Sequence, residues 1–283
     1  MKLAQKIALG YIRAKLNLLS AVSKRKAAEK AFEIFSTPFA KSKKKTPAIF
    51  EKAEKLSFKM DGYIVRGYRF NHDSTIERRK VLILHGFEST IKNFDKYINP
   101  LLKKDYEVLA FDAPAHGESG GKQITLPLYI KTIEMIIEKF GPVQSFMSHS
   151  FGGLAITHYI EKIKHHSNTR IALIAPATET TTAIDMFCKF LHISDEVKKE
   201  FNKLIKEKAG VPPSHFSIRR AAKHIKAQIL WLHDEEDDIT PLKDVLKVKE
   251  DKHSHIKFIF TKGLGHRRIY RDNNVAKEVI NFL

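Results

Sequence analysis

A serine between a short apolar run and a helical pattern can serve as a nucleophile if its neighbours are small enough for a sharp turn, and Ser150 has that setting. Val143-Gln-Ser-Phe-Met147 leads into Ser148-His149-Ser150-Phe151-Gly152-Gly153, and Leu154-Ala-Ile-Thr-His-Tyr-Ile160 follows with helical spacing. Such a turn forces strained backbone and brings strand and helix close together, which the small residues Ser148 and Gly152 permit. The helix that starts here offers free amides and a positive dipole end to developing negative charge. The Phe151 amide is therefore one expected oxyanion donor. The second is the Phe87 amide, in the glycine turn His85-Gly86-Phe87-Glu88-Ser89 after the apolar run Val81–Leu84.

A serine hydroxyl is a weak nucleophile at neutral pH and needs a base, itself oriented by a third group. Of the fourteen histidines, His266 stands out, because Gly263-Leu-Gly265-His266 follows the last aliphatic run on a flexible loop. The acid is expected in Leu230-Trp-Leu-His-Asp-Glu-Glu-Asp237-Asp238-Ile-Thr-Pro241, after the penultimate run and before a proline suited to a helix start. Asp237 is the candidate, with Asp234 and Asp238 as rivals. His149 is expected to pack or to line the pocket, His116 and Ser119 to stabilise a loop, and Arg267 and Arg268 to be solvated or paired with acids.

These residues need elements that bring them together. Residues 55–70 read as a hairpin around the turn pair Asp61-Gly62. Short aliphatic runs follow at Val81–Leu84, Val108–Phe111, Val143–Met147, Ile171–Ile174, Ile229–Leu232 and Ile256–Phe260, separated mostly by helical patterns such as Leu128–Phe140 and Leu154–Ile163. Runs this short and apolar suit strands buried on both faces, so the alternation predicts a parallel sheet covered by helices. The connection from Ile174 to Ile229 is too long for one crossover and holds the helical patterns Ala183–Leu191 and Ser194–Lys208, ending near Gly210-Val-Pro-Pro. It reads as a cap, inserted where open sheets bind ligands and so expected to line the substrate pocket. The expected organisation is a basic helical extension over residues 1–54, a core over 55–176 and 222–283, and a helical cap over 177–221.

His85-Gly86-Phe87, Asp112-Ala-Pro-Ala-His116-Gly117-Glu-Ser119, Ser148-x-Ser150-x-Gly152, Asp237-x-x-Thr240-Pro241 and Gly265-His266 together resemble the α/β-hydrolase superfamily, in particular its capped, serine-nucleophile members of bacterial type. The resemblance runs from Lys55 to the C-terminus. It implies a mostly parallel eight-stranded sheet with helices on both faces, a nucleophile after the fifth strand, an acid after the seventh and a histidine after the eighth. The chain order Ser150, Asp237, His266 is that of this fold's triad, and the Asp-x-x-Thr-Pro match favours Asp237 over its neighbours. Two positions depart from the pattern: Ser148 replaces the first elbow glycine, and Asp234 stands where a glycine is common. The implied activity is hydrolysis of a carboxylic ester or thioester through an acyl-serine, with no cofactor or metal.

Composition narrows the setting. No apolar stretch approaches the roughly 20 residues of a membrane span, and no cleavable leader is expected, because Lys6 and Arg13 interrupt the apolar stretch. Cys188 is the only cysteine, so an internal disulfide is impossible and a reducing cytoplasm fits. His165, His166, His253 and His255 lack the partners of a metal site. Fifty basic residues against 32 acidic ones give a formal charge of +18. Residues 1–55 carry fourteen Lys and Arg against four Glu, and their apolar residues Leu3, Ile7, Tyr11, Leu16 and Leu19 fall near helical spacing. The plain expectation is a basic helix packed on the hydrolase body, with the Lys43-Lys44-Lys45 run as a solvated linker. A second is attachment to an anionic membrane surface, which would suit a lysophospholipase or monoacylglycerol lipase. A third function class, an inactive hydrolase scaffold used for binding, normally loses a triad member, and none is missing. Nucleic-acid binding has only the charge in its favour, since no recognition motif accompanies it.

Overall fold

The computed structural model describes residues 3–39 and 45–283. The Lys43 and Lys44 positions lie outside them. Among the described residues there are eight strands: β1 (Glu54–Met60), β2 (Tyr63–Phe70), β3 (Lys80–Leu84), β4 (Glu107–Phe111), β5 (Ser145–His149), β6 (Arg170–Ile174), β7 (Gln228–Asp234) and β8 (Ile256–Thr261). The α-helices, in chain order, are α1 (Leu3–Val22), α2 (Lys24–Ser36), α3 (Asp95–Lys103), α4 (Leu126–Phe140), α5 (Phe151–Lys162), α6 (Thr180–Leu191), α7 (Asp195–Ala209), α8 (Ile218–Ala222), α9 (Leu242–Glu250), α10 (Gly265–Arg268) and α11 (Asn273–Phe282).

The chain divides into two compact units: residues 1–37 with 179–217, and residues 38–178 with 218–283. The larger one is built on a single sheet in the order β1-β2-β4-β3-β5-β6-β7-β8. The expected hairpin forms its antiparallel edge, with Met60 opposite Tyr63 across the Asp61-Gly62 turn, and β2 joins β4 antiparallel. From β4 to β8 every pairing is parallel. Parallel strands need helical crossovers, and these cover both faces. Val81, Ile83, Val108, Ala110, Met147, Ala172, Leu230 and Leu232 point to one side and pack with Phe94, Tyr97, Ile98, Val275 and Val279, residues of the segment leading into α3 and of α3 and α11 themselves. Their alternating neighbours, including Leu82, Phe146, Leu173 and the fully buried Trp231, face the other side. The fifth strand starts two residues later than the aliphatic run suggests, after Gly141-Pro142. Proline has no N–H for the ladder, so pairing begins beyond it.

The smaller unit is helical. The β6–β7 connection supplies α6 and α7, and its ends are tied by an isolated bridge between Glu179 and Ser217, whose hydroxyl donates to Glu179 Oε1 at 2.7 Å. These helices share a core with α1 and α2: Leu16, Ala27, Ala28, Ala31, Ile184, Cys188, Leu191, Val197, Phe201 and Ile205 are all buried together. Ala27, Ala28 and Ala31 are small, which lets α2 lie close to α7. Phe201 fills the space between them, with Phe35 edge-on at 5.6 Å and Phe187 at 6.0 Å. The basic N-terminal helices, expected as an extension of their own, are thus grouped with the cap helices in one unit.

Phe201 has no solvent exposure. Phe201→Ala is expected to cost about 3–5 kcal/mol, the usual range for emptying a buried phenylalanine site. Urea unfolding followed by far-UV circular dichroism measures this, as a lowered midpoint or a separate early transition.

Candidate active site

The turn from β5 into α5 carries Ser150 at φ 53° and ψ −120°, a conformation that L-residues avoid. Surrounding hydrogen bonds hold it there. The Ser150 amide donates to the Ile174 carbonyl at 3.1 Å, and the Ser150 carbonyl accepts from the Gly153 amide at 2.9 Å and the Ala177 amide at 3.0 Å. The small neighbours are required by space. A Cβ at Gly152 would lie 2.7 Å from the His85 carbonyl oxygen, and one at Gly153 would lie 2.7 Å from Pro176 Cβ. Ser148 is fully buried and donates to the Ala172 carbonyl at 3.3 Å, so a serine is accommodated where the hydrolase pattern has glycine.

Loops after β7 and β8 bring in the other two side chains. His266 Nε2 lies 3.0 Å from Ser150 Oγ, and His266 Nδ1 lies 2.8 Å from Asp237 Oδ2. A carboxylate on Nδ1 keeps the proton on that nitrogen and leaves the Nε2 lone pair facing the Ser150 hydroxyl. Asp237 stands at the start of an Asx-type turn, its Oδ1 accepting from the Ile239 amide at 2.9 Å and the Thr240 amide at 2.7 Å. The Thr240 hydroxyl donates to Oδ2 at 2.8 Å and lies 3.2 Å from His266 Nδ1. Burial pushes the Asp237 carboxyl up. The bond and charge of His266, with the two amides, outweigh burial and hold the pKa at about 2.

The three aspartates of this segment have separate positions. Asp234 Oδ2 accepts from the Thr261 hydroxyl at 2.7 Å and the Leu264 amide at 3.0 Å, which ties down the loop that presents His266. Asp238 is exposed. Arg267 and Arg268 are exposed, in line with the solvated reading, and the Arg268 guanidinium also donates to the Leu264 and Gly263 carbonyls of this loop. Thr240 is the neighbour of the Asp237–His266 pair that sequence reading did not single out by itself. Thr240 was visible only as part of the Asp-x-x-Thr-Pro string.

His149 is buried between the rings of His266 and Tyr270, at centroid distances of 4.7 and 4.6 Å. Its Nε2–H donates to the His266 main-chain carbonyl at 3.1 Å, so it steadies His266 through backbone. His85 Nδ1–H donates to the Gly86 carbonyl at 2.7 Å, and its Nε2 accepts from the Ala113 amide at 2.9 Å. His116 accepts from the Glu88 amide at 2.9 Å, and Ser119 donates to the Asp112 carbonyl at 2.7 Å. Both therefore hold loops, and the Glu88 amide that His116 fixes follows Phe87 directly. Gly86 runs against the serine, since a Cβ there would lie 2.8 Å from Ser150 Cβ. Phe151 is the first residue of α5, so its amide has no acceptor within the helix. Among the described residues the Phe87 amide has no acceptor either. The two rings meet edge-on at 6.3 Å. No three His, Cys, Asp or Glu side chains gather as a metal site would require, among the described residues.

The sheet order, the parallel run and the turn after β5 are those of the α/β-hydrolase fold. A family model described as serine aminopeptidase S33 (Hydrolase_4) matches residues 75–212. That segment contains Ser150 but neither Asp237 nor His266. The chain is 23% identical over 249 residues to YqkD, an uncharacterized protein of Bacillus subtilis, covering 83% of this chain and 81% of that one. Among solved structures it is similar to the esterase Pf2001 of Pyrococcus furiosus, with a TM-score of 0.64 and 17% identity over 88% of this chain and 96% of that one. It is also similar to the thioesterase domain from the curacin biosynthetic pathway, with a TM-score of 0.57 and 15% identity over 81% of this chain and 99% of that domain.

Burial lowers the histidines around the turn: His85 and His116 to about 4, and His149 to about 3, where the charge of His266 adds to the effect. Their ordinary value is 6.5, so between roughly pH 6.5 and 4 the unfolded chain binds protons that the fold refuses. Stability is therefore expected to fall as pH drops through that window, by up to about 1.4 kcal/mol per pH unit for each histidine. Urea midpoints at a series of pH values check this, and His116→Gln should give a shallower dependence. Asp237 adds its own loss only below its ordinary value of 3.8.

Proposed function

We propose that the protein is a serine hydrolase that cleaves a carboxylic ester or thioester through an acyl-Ser150 intermediate. The observation that carries this reading is the hydrogen-bonded line from Asp237 Oδ2 to His266 Nδ1 at 2.8 Å and from His266 Nε2 to Ser150 Oγ at 3.0 Å. A base within that reach takes the hydroxyl proton as Oγ attacks the carbonyl carbon. The imidazolium formed is stabilised by the Asp237 carboxylate, which stays ionised at neutral pH because its pKa is held at about 2. The carbonyl oxygen, now negative, accepts from the Phe87 and Phe151 amides. The carbon–oxygen or carbon–sulfur bond then breaks, and the leaving group takes the proton from His266 Nε2. Water attacks the acyl-serine by the same route, giving its proton to His266; the bond from the acyl carbon to Oγ then breaks, the acid leaves, and His266 returns the proton to Oγ.

The rings of Phe87, Phe151 and Tyr129 form an apolar series, with Tyr129 at 5.6 Å from Phe151. Pf2001 is an esterase and the curacin domain a thioesterase, and both names agree with acyl transfer. The matching family model is described as serine aminopeptidase, so aminoacyl anilides belong in the substrate panel beside esters and thioesters.

Ser150→Ala and His266→Ala are each expected to lower kcat by several orders of magnitude and to abolish labelling by a fluorophosphonate probe. Wild-type turnover of short acyl esters by Ser150→Ala would refute the assignment. Thr240→Val removes one donor to a charged carboxylate, and kcat should drop about 10- to 100-fold with little change in KM. Thr240→Ser, which keeps the hydroxyl, should restore most of it.

A further inference from the structure

Helix α1 is apolar on two sides. Its inner side, Leu9, Ile12, Leu16 and Leu19, packs in the core of the helical unit. At 100° per residue, Ile7, Tyr11, Leu18 and Val22 fall within roughly 60° of one another on a different side, turned away from the first by about 130°. These four side chains are 65%, 67%, 70% and 75% exposed. Ala14 and Ala21 flank this outer side and are exposed as well. The stripe runs for about 22 Å along the helix. On the neighbouring helix α6, Phe190 is 53% exposed. Arg13 links it to α1, donating to the Phe190 carbonyl at 2.6 Å with its guanidinium 5.8 Å from the ring. A continuous exposed apolar band on an isolated soluble unit calls for an occupant.

Charge decides which occupant. α1 contains Lys6, Arg13 and Lys15 and not one acidic residue. The next helix opens with Lys24, Arg25 and Lys26, of which Arg25 pairs with Glu29 and Glu207. A second copy of the chain docked on the stripe would set these positive helices against each other, within a molecule already at +18. An anionic lipid surface meets both features, taking the apolar side chains into its headgroup and acyl boundary and the lysines at its phosphates.

We infer that the outer side of α1 is a docking surface that lays the protein on anionic bilayers. This surface is separate from Ser150, and its occupancy does not depend on the reaction performed there. The full-length protein should co-sediment with phosphatidylcholine–phosphatidylglycerol vesicles and not with phosphatidylcholine alone. The double variant Tyr11→Asp/Leu18→Asp should lower the partition coefficient at least about tenfold, because two apolar side chains no longer enter the bilayer. Hydrolysis of a soluble ester should be unaffected. Lys15→Gln, at the edge of the stripe, should lower binding about fivefold. Hydrogen exchange on the unaltered protein gives an independent reading: vesicles should slow exchange across residues 3–22. Four results would overturn the inference. They are no binding to the mixed vesicles, binding indifferent to the Tyr11/Leu18 change, protection confined to other segments, and a dimer in sedimentation velocity that the double variant dissociates.

Discussion

The backbone of Ser150 is the constraint on which the rest of the site depends. Its positive φ costs about 1–3 kcal/mol, and it persists because β6 and the segment after it grip the residue from both sides, through the Ile174 carbonyl and the Ala177 amide. That grip needs β5 in the middle of a parallel sheet, paired with β3 on one side and β6 on the other. It also needs glycine at 152 and 153, where the helix passes the ends of β3 and the chain after β6 too closely for a side chain. The same turn aims the first amides of α5 outward. One strained residue thus sets both the direction of the hydroxyl and the place where negative charge can be met.

The partners of Ser150 arrive on loops, which are held by polar contacts that leave little freedom. Two carboxylates three residues apart share that work. Asp237 closes its own turn and meets the imidazole, whereas Asp234 fastens the loop in front of His266. His233, fully buried, donates to the Thr240 carbonyl at 2.8 Å and so supports the turn from below. Desolvation keeps His85, His116, His149 and His233 in their neutral forms. A neutral imidazole offers one donor and one acceptor; His85 and His116 use both, each bridging a carbonyl and an amide, whereas His149 and His233 each tie one carbonyl. The cluster is therefore a set of loop ties, and the single imidazole aimed at a hydroxyl is His266.

The helical unit follows a different economy. Its core is shared between segments far apart in the chain, so α1 and α2 gain burial only when α6 and α7 are present beside them. Arg25, reaching Glu207 at 2.6 Å, marks the same pairing at the surface, where an exposed ion pair adds little energy. What remains is a helix that has satisfied one apolar side and still presents another.

Local chemistry made several features legible without coordinates. The strand–turn–helix around Ser150, the hairpin at Asp61-Gly62, the parallel sheet implied by short buried runs and the glycine loop before His266 all follow from patterns a few residues long. Even so, residues alone left Asp234, Asp237 and Asp238 as rivals, because three carboxylates on one loop differ only in what they face. Periodicity likewise showed that the N-terminal helices have an apolar side but not that Phe201, some 170 residues later, would meet it. The tie from His149 to the His266 carbonyl spans 117 positions, and the Arg268 contacts depend on how one loop closes. Sequence determines propensity and pattern over a turn or a strand. Which distant groups come within 3 Å is decided by packing, since only the folded chain fixes those separations and removes the water that would otherwise compete for every donor and acceptor.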